Sequence, residues 1–568
     1  MFAYRSKLMF SLLRHTLIAT ALLLSGSAFA QPVAGGGCTA GAHTFCVLST
    51  ADAGTGSLRQ AITDSNAAGG VNTIGFDIPT NPLNPTPQTI TLAGQLPAIN
   101  ANGNLSSLTI DGYSQPGSVM NTNAPDQGGL TTKLMIEIAG NNVVEVFSYK
   151  CCTAPFITLT FQGLNLHDFT EGIVGQGFTI PPKAQLNVYG CFIGTNIGGT
   201  AVAEGPGSVG IDVSFDNAQI GGPQPWQRNL LSGNSEGVTG GAPDATIVIE
   251  GNLIGTDISG TRAITNSTTS SRGALALTAT EPALRVGCTS VGPNPTCGTA
   301  ASRNVISGNS GYGMVLARFF GGPYPVVDAQ IKGNYIGTDW SGTKPLPNGN
   351  IADPYAECPF NCGGIQIHGG GSGSGPALII GGFAPGEANL IANNNGPGIW
   401  ANGADSYPPI AASFDNQGNA VHNNVVTDIA FFVTPTVFTG NGWIPNDPGD
   451  ADTGANNQQN YPVIQSAHVS GGQLTVTYSV DSTTTNSTYP LRIDFYVDID
   501  EGSGEFLVSD TYTSASAQQM RTVTLSLPAD VQSPVGFVAT ATTADHYTSE
   551  FSPSYVFDRI FADRFEGH

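Results

Sequence analysis

The chain has 568 residues, more than an ordinary single domain, with Lys+Arg 19 against Asp+Glu 41 and a formal charge of −22. So acidic a chain is repelled by nucleic acid and by anionic membrane surfaces, which removes both from the partner classes. Charged residues make up only 11% and glycines number 74, a composition suited to stacked β-coils, whose turns need glycine and whose strands need stiff apolar residues.

Residues 1–30 read as a signal peptide. Arg5, Lys7 and Arg14 precede the apolar run Leu17 to Leu24, and Ala28-Phe29-Ala30 supplies a small-x-small cleavage site. That run is too short to span a bilayer, and no later stretch approaches the ~20 apolar residues a helix needs, so no membrane span is expected. The mature chain is expected to start at Gln31, to be exported, and to carry −25 once those three cations are removed. Export favours local disulfides at Cys38–Cys46, Cys288–Cys297 and Cys358–Cys362. The spacings give no zinc knuckle, so no metal is assigned, and the pairing among Cys151, Cys152 and Cys191 stays open.

Residues 31–149 hold an N-terminal region and first coils. Ser57 with Gln60 makes a capping box, which predicts an amphipathic helix to about Asn66. Strand-like segments follow at Thr73, Thr89 and Ser107. Because a solenoid exposes an apolar end unless something covers it, the helix is expected to be a cap.

Residues 150–440 are repetitive. CFIGTNIGGT from Cys191, NLIGTDISGT from Asn252 and NYIGTDWSGT from Asn334 share one pattern. RNLLSGN from Arg228, RNVISGN from Arg303 and ANLIANN from Ala388 share a second, each preceded by Ile220-Gly-Gly, Val286-Gly-Cys or Ile380-Gly-Gly. The order is kept in three copies, which marks a solenoid of strands and tight turns. Asn252, Asn334, Asn234 and Asn309 each follow a glycine. They are expected to take the left-handed turn and to bond to the coil above.

The stretch TADAGTGSLRQAITDSNAAGGVNTIGFDIP, with TITLAGQLPAI, LTIDGYSQPG and the repeats, resembles the exported bacterial right-handed parallel β-helix proteins of the pectin-lyase-like superfamily. The resemblance covers about residues 44 to 425 and implies the fold, but no particular chemistry.

Residues 441–460 are polar, non-periodic and read as a linker. Alternating runs from Gln473, Leu491, Glu505, Arg521 and Val535 then predict a small antiparallel β-sandwich over 461–556. The tail 557–568, FDRIFADRFEGH, resembles one that ends many exported proteins of Gram-negative bacteria, which implies an extracellular or outer-surface location. The expected fold is therefore all-β: a right-handed parallel β-helix with an N-terminal capping helix, followed by the sandwich.

A catalytic group is needed once, so it should break the repeat. Arg228 and Arg303 share a slot with Ala388, Arg262 and Lys344 one with Ala201, and Glu250 and Lys332 one with Tyr189. Asp257 and Asp339 share a slot with Asn196, which cannot ionise, so an Asx-turn role is expected. Asp212, Asp216, Arg272, Arg318, Asp328, Asp353 and Glu357 remain, scattered. The active-site motifs of the pectin-active β-helix enzymes are not matched. His167, His368 and His422 lack carboxylate or histidine partners in sequence. Asp498-Ile-Asp500-Glu501-Gly502 hints at a calcium loop, the one cofactor suggested, although a hairpin explains it as well.

Tyr335, Trp340 and Trp400, with Asp257 and Asp339, are the candidate binding residues, because exposed rings stack on sugars. The expected function is an extracellular or cell-surface protein that binds a polysaccharide or cell-surface glycan through the lateral face, as in adhesion, with no catalytic residue identified. A polysaccharide lyase or glycoside hydrolase is the alternative, and an autotransporter-like passenger the third. A groove along one sheet containing three or more convergent Asp, Glu, Arg or Lys would favour the enzyme.

Overall fold

Short apolar runs of Ile, Val and Leu stack in chain order. The computed structural model describes residues 31–38, 44–150, 156–176, 184–205, 207–214, 217–241, 245–266, 273–278, 283–288, 297, 299–317, 329–349, 362–368, 378–402, 414–422, 424, 428–432, 444–498, 504–528, 531 and 536–556. The expected signal segment 1–30, Cys151, Cys152, Cys358, residues 500–502 of the acidic loop and the tail 557–568 lie outside them.

The protein is nearly all β. Eleven strands, from Phe45–Val47 through Thr246–Glu250 to Phe414–Gln417, form one parallel sheet in sequence order. Between visits to it the chain builds two further parallel columns. The second column pairs the short strands Phe192–Ile193, Leu230–Leu231, Leu253–Ile254, Val305–Ile306, Tyr335–Ile336 and Leu390–Ala392. The third pairs Asn165–Gln176, Gly207–Asp212, Asn234–Gly240, Gly273–Thr278, Tyr312–Ala317, Gly363–His368 and Ile399–Asn402. Ile220, Ile249, Val286, Ile331 and Ile380 of the first sheet share one fully buried core with Ile254, Ile306, Ile336, Leu275, Met314 and Ile365 of the other two. Each such side chain contributes roughly 1.5–3 kcal/mol.

This register divides the sequence repeat. The IGT and SGN motifs, read as two stations of one unit, lie one above the other in the second column: Leu230 pairs with Leu253, Leu253 with Val305, and Val305 with Tyr335. One sequence repeat is therefore two coils. The IGT coil carries an extra hairpin, closed by bridges at Thr195–Val202, Thr256–Ala263 and Thr338–Pro345.

Two asparagine ladders run through the corners. One joins Asn229, Asn252, Asn304, Asn334, Asn389 and Asn419 by amide-to-amide bonds of 2.9–3.0 Å. The other joins Asn234, Asn266, Asn309, Asn348, Asn394 and Asn424, at 3.5 Å for its first step and 2.8–3.1 Å for the rest. Asn334 shows the logic. Its Nδ2 donates to the Val286 carbonyl at 3.0 Å and to Asn389 Oδ1 at 2.9 Å, while its Oδ1 accepts from Asn304. The expected bond to the next coil is present. The left-handed turn is not made by the asparagine but by the glycine before it, with φ 74° at Gly251 and 69° at Gly333.

One α-helix, Leu58–Ala68, puts Leu58, Ala61 and Ile62 into the same apolar core. Only half of the expected capping box forms. Ser57 Oγ accepts from the Gln60 amide at 3.2 Å, but the Gln60 side chain donates to Asp64 instead. Cys38–Cys46 and Cys288–Cys297 are disulfides, Cys362 is also disulfide-bonded, and Cys191 is free and buried. Among the described residues no helix is long and apolar enough to cross a membrane.

Two antiparallel sheets follow the coils. One holds Val463–Ser470, Gln473–Ser479 and Arg521–Ser526; the other pairs Leu491–Asp498 with Gly504–Tyr512 and Gly536–Thr542. Leu474, Val476 and Tyr478 of the first share a core with Ile493, Phe495 and Phe537 of the second. These strands are tied to the last coils. Arg492 reaches Asp415 at 2.8 Å, and Glu550 accepts from the Phe431 and Ile444 amides. Residues read as linker also take part: buried Asn456 donates to the Phe414 and Thr548 carbonyls.

Candidate functional site

The hairpin acids are spent on their own loops. Asp257 is 1% exposed; its Oδ1 accepts from Ser259 Oγ at 2.7 Å and from the Thr261 and Arg262 amides, and its Oδ2 meets Arg262 Nε at 3.0 Å. Burial pushes its pKa up, but those donors together outweigh burial and hold it below the usual carboxylate range. Asp339, 2% exposed, accepts from the Ser341 hydroxyl at 2.6 Å and amide at 3.1 Å. Asn196 accepts from the Thr200 amide at 2.9 Å. The amide two residues on is thus used at Asp339 only, while Asp257 and Asn196 bond to amides four and five on.

The aromatic candidates divide. Trp340 is half-buried in the slot that Ile197 and Ile258 fill in earlier hairpins, against Phe192, Leu230 and Leu253. Its amide donates to the Gly260 carbonyl of the hairpin before. Tyr335 is half-buried under the Arg303 guanidinium, 4.1 Å from its ring centre. Trp400 is 5% exposed and stacks on buried Tyr312, centroids 6.2 Å apart.

In the slots that change charge, the two arginines keep an equivalent partner, while Tyr189, Glu250 and Lys332 each find a different one. Arg228 Nε donates to the Gly251 carbonyl at 3.0 Å and Arg303 Nε to Gly333 at 3.4 Å. Tyr189 packs edge-on to Trp226, and Lys332 pairs with Glu387 at 3.1 Å. Glu250, fully buried, accepts from Gln219 Nε2 at 2.9 Å, and burial pushes its pKa up to about 8.

A different set of acids meets on the third column. Glu145 and Glu171 are register partners on adjacent coils, and Glu171 is aligned with Val209, which is aligned in turn with Glu236. Further coils put Gly273 and Tyr312 in this row, so it carries Glu on three coils and Val, Gly or Tyr on the others. Asp212 stands three residues beyond Val209, and it faces outward because its neighbours Ile211 and Val213 are fully buried. Glu171 feels this company. Burial first, then the charges of Asp212 and Glu145, push its carboxyl above the usual range. Glu145 accepts from Gln95 Nε2, and Asp212 Oδ1 from the Ser214 amide at 2.8 Å. Trp400 belongs to the same outer face, in register with Gln366, which follows Val315, Ala276, Thr239 and Asp212.

Beside this row, His167 has the carboxylate partner that its sequence context lacks. Its Nε2 lies 3.2 Å from Glu137 Oε1, and Thr89 donates to Glu137 Oε2 at 2.6 Å. The His167 bond, with help from Thr89 and against burial, holds Glu137 below its ordinary value.

Sequence inspection named Asp212 among scattered acids but missed Glu145, Glu171 and Glu236. The available signal was the residue before the glycine in Glu171-Gly172, Val209-Gly210, Glu236-Gly237 and Tyr312-Gly313, a slot that varies while these four copies keep the glycine; Glu145, followed by Val146, gives no such signal. The chain matches no protein-family model and no curated protein.

Proposed function

We propose that the protein is a polysaccharide-active enzyme of glycoside-hydrolase type, working on the outer face of the third column. In this reading the coils are a right-handed parallel β-helix of the pectin-lyase-like kind, the helix Leu58–Ala68 caps it, and the two C-terminal sheets form a sandwich. The protein is exported and acts outside the cell. The observation that carries the reading is the register pairing of Glu145 with Glu171, with the charge of Asp212 near enough to push Glu171 up, in a row that later coils fill with Val209, Glu236, Gly273 and Tyr312.

Hydrolysis of a glycosidic bond needs one carboxyl that keeps its proton and one that has lost it. Neighbouring environments that push two carboxyls apart supply that pair. Glu171, raised by burial and by two neighbouring charges, is the general acid toward the leaving oxygen. Asp212 or Glu145 is the partner carboxyl that activates water or attacks the sugar carbon. So acidic a face repels uronate polymers and suits uncharged glycans.

Reducing-end release from a panel of uncharged and anionic polysaccharides tests this. The wild type should cleave an uncharged member, and Glu171→Gln should lose a hundredfold or more of that rate, as removal of an acid–base group does. Glycan that is bound and never cut would replace this reading with lateral-face binding, which half-exposed Trp340 and Tyr335 favour.

A further inference from the structure

Asp447, Asp450 and Asp452 stand where the chain passes from the last coil to the antiparallel sheets, in a stretch that sequence alone reads as linker. The Pro448-Gly449 turn, with φ 75° at Gly449 and 64° at Asp450, folds the segment back on itself. One carboxylate oxygen from each aspartate then lies within 4.8 Å of the others. Calcium holds oxygen ligands at about 2.4 Å, so two oxygens on one ion stand at most about 4.8 Å apart, and all three fit one coordination sphere.

The second observation concerns what these acids lack. Asp450 is 1% exposed and held firmly: its Oδ1 accepts from the Asn460 amide at 2.8 Å and its Oδ2 from Ser487 Oγ. Asp447 Oδ2 accepts from the Ala451 amide at 2.9 Å. Yet Asp447 Oδ1 and Asp452 Oδ1 are closed off from solvent and accept no hydrogen bond. Among the described residues none of the three acids joins a salt bridge. Anionic oxygens shut away without a donor are costly, and three together more so.

We propose that Asp447, Asp450 and Asp452 form a calcium site that fastens this segment between the coils and the antiparallel sheets. Hard oxygen donors from carboxylates suit calcium, and the two orphan oxygens are the unused ligands. Asp450 transmits the ion's hold to Ser487 and Asn460, and Gly449 N–H donates to Asp481 Oδ1 at 3.2 Å.

The test is calorimetric titration of the chelator-treated full chain with calcium, alongside thermal unfolding with and without the ion. The expected result is one saturable site and a rise in Tm. Asp452→Asn keeps the volume and relieves repulsion, so it should fold, bind calcium at least tenfold more weakly and lose the Tm rise. Asp447→Asn should do the same, and Asp498→Asn, in the other acidic loop, should change neither. Absence of both heat and Tm shift in the wild type would overturn the site. So would tight binding that survives in both Asp447→Asn and Asp452→Asn, or binding lost in Asp498→Asn. Magnesium bound as tightly as calcium would overturn the choice of ion.

Discussion

The corners of the coils and the outer face of the third column bury polar groups by opposite means. At the corners one residue type is repeated: each asparagine donates to a carbonyl behind it and to an amide oxygen ahead, so the bonds of one coil complete those of the next. On the outer face the row changes from coil to coil, and burial with the charges of Asp212 and Glu145 pushes the Glu171 carboxyl up. Repetition satisfies the inner rungs and leaves only an end such as Asn234 Oδ1 without a donor. Where the row changes, like charges stand near one carboxyl and raise it above its ordinary value. In such a fold a register slot that refuses to repeat is a better guide to chemistry than a motif that does.

The largest effect should come from the C-terminal region, where charge rather than repetition satisfies buried groups. Arg492 contacts Asp415 and Asp494 at 2.8 Å, and both acids are 1% exposed or less. Arg492→Met strands two buried carboxylates and should cost about 3–5 kcal/mol in chemical denaturation. Next is the ladder. Asn334→Ala takes one acceptor from Asn304, which keeps the Ile249 carbonyl, and one donor from the Val286 carbonyl, which keeps the Lys332 amide, and should cost about 2 kcal/mol, read from the denaturation midpoint. A cost near that of an ordinary surface change would show that the ladder only decorates a fold held by its apolar core.

The third effect depends on pH. The Glu250 carboxyl, pushed up to about 8 by burial, keeps a proton in the folded chain that the unfolded chain gives up near the ordinary glutamate value, about 4.3. Its contribution is therefore full below about pH 4 and is lost as pH rises toward 8. Glu250→Gln should flatten that part of the stability profile between pH 5 and 8. An unchanged slope would mean that Glu250 is ionised in the folded protein. Smallest is Asp339→Asn. The amide oxygen can still accept from Ser341 and Lys344, as Asn196 accepts in its own hairpin, so the change should cost under about 1 kcal/mol in thermal unfolding.

How far these features could be read in the sequence follows from the same contrast. Glycines, β-branched runs and three copies of IGT and SGN predict parallel stacking, because local conformation and repetition fix it. Their division into two coils per repeat was hidden, since equivalence of Leu230 with Leu253 appears only once the strands pair. Asn266 and Asn348 were missed as rungs because the hairpin insertion shifts them away from the SGN motif. Glu145 and Glu171 were missed for a related reason. They lie 26 positions apart in a segment before the first clear repeat, and only the pairing of their strands places one beside the other. Asp447, Asp450 and Asp452 were plain in the sequence but seemed to belong to a linker. Their orphan oxygens are a property of the folded turn.

The most direct measurement compares Glu171→Gln and Asp339→Asn in one reducing-end assay, on the uncharged polysaccharide that the wild type cleaves best. The acid that breaks the repeat should be needed and the acid that keeps it should not. Glu171→Gln is expected to lower kcat/KM a hundredfold or more while both variants unfold within a few degrees of the wild type, and Asp339→Asn to leave it within twofold. Full activity in Glu171→Gln, or a hundredfold loss in Asp339→Asn, would contradict the assignment of chemistry to the broken slots.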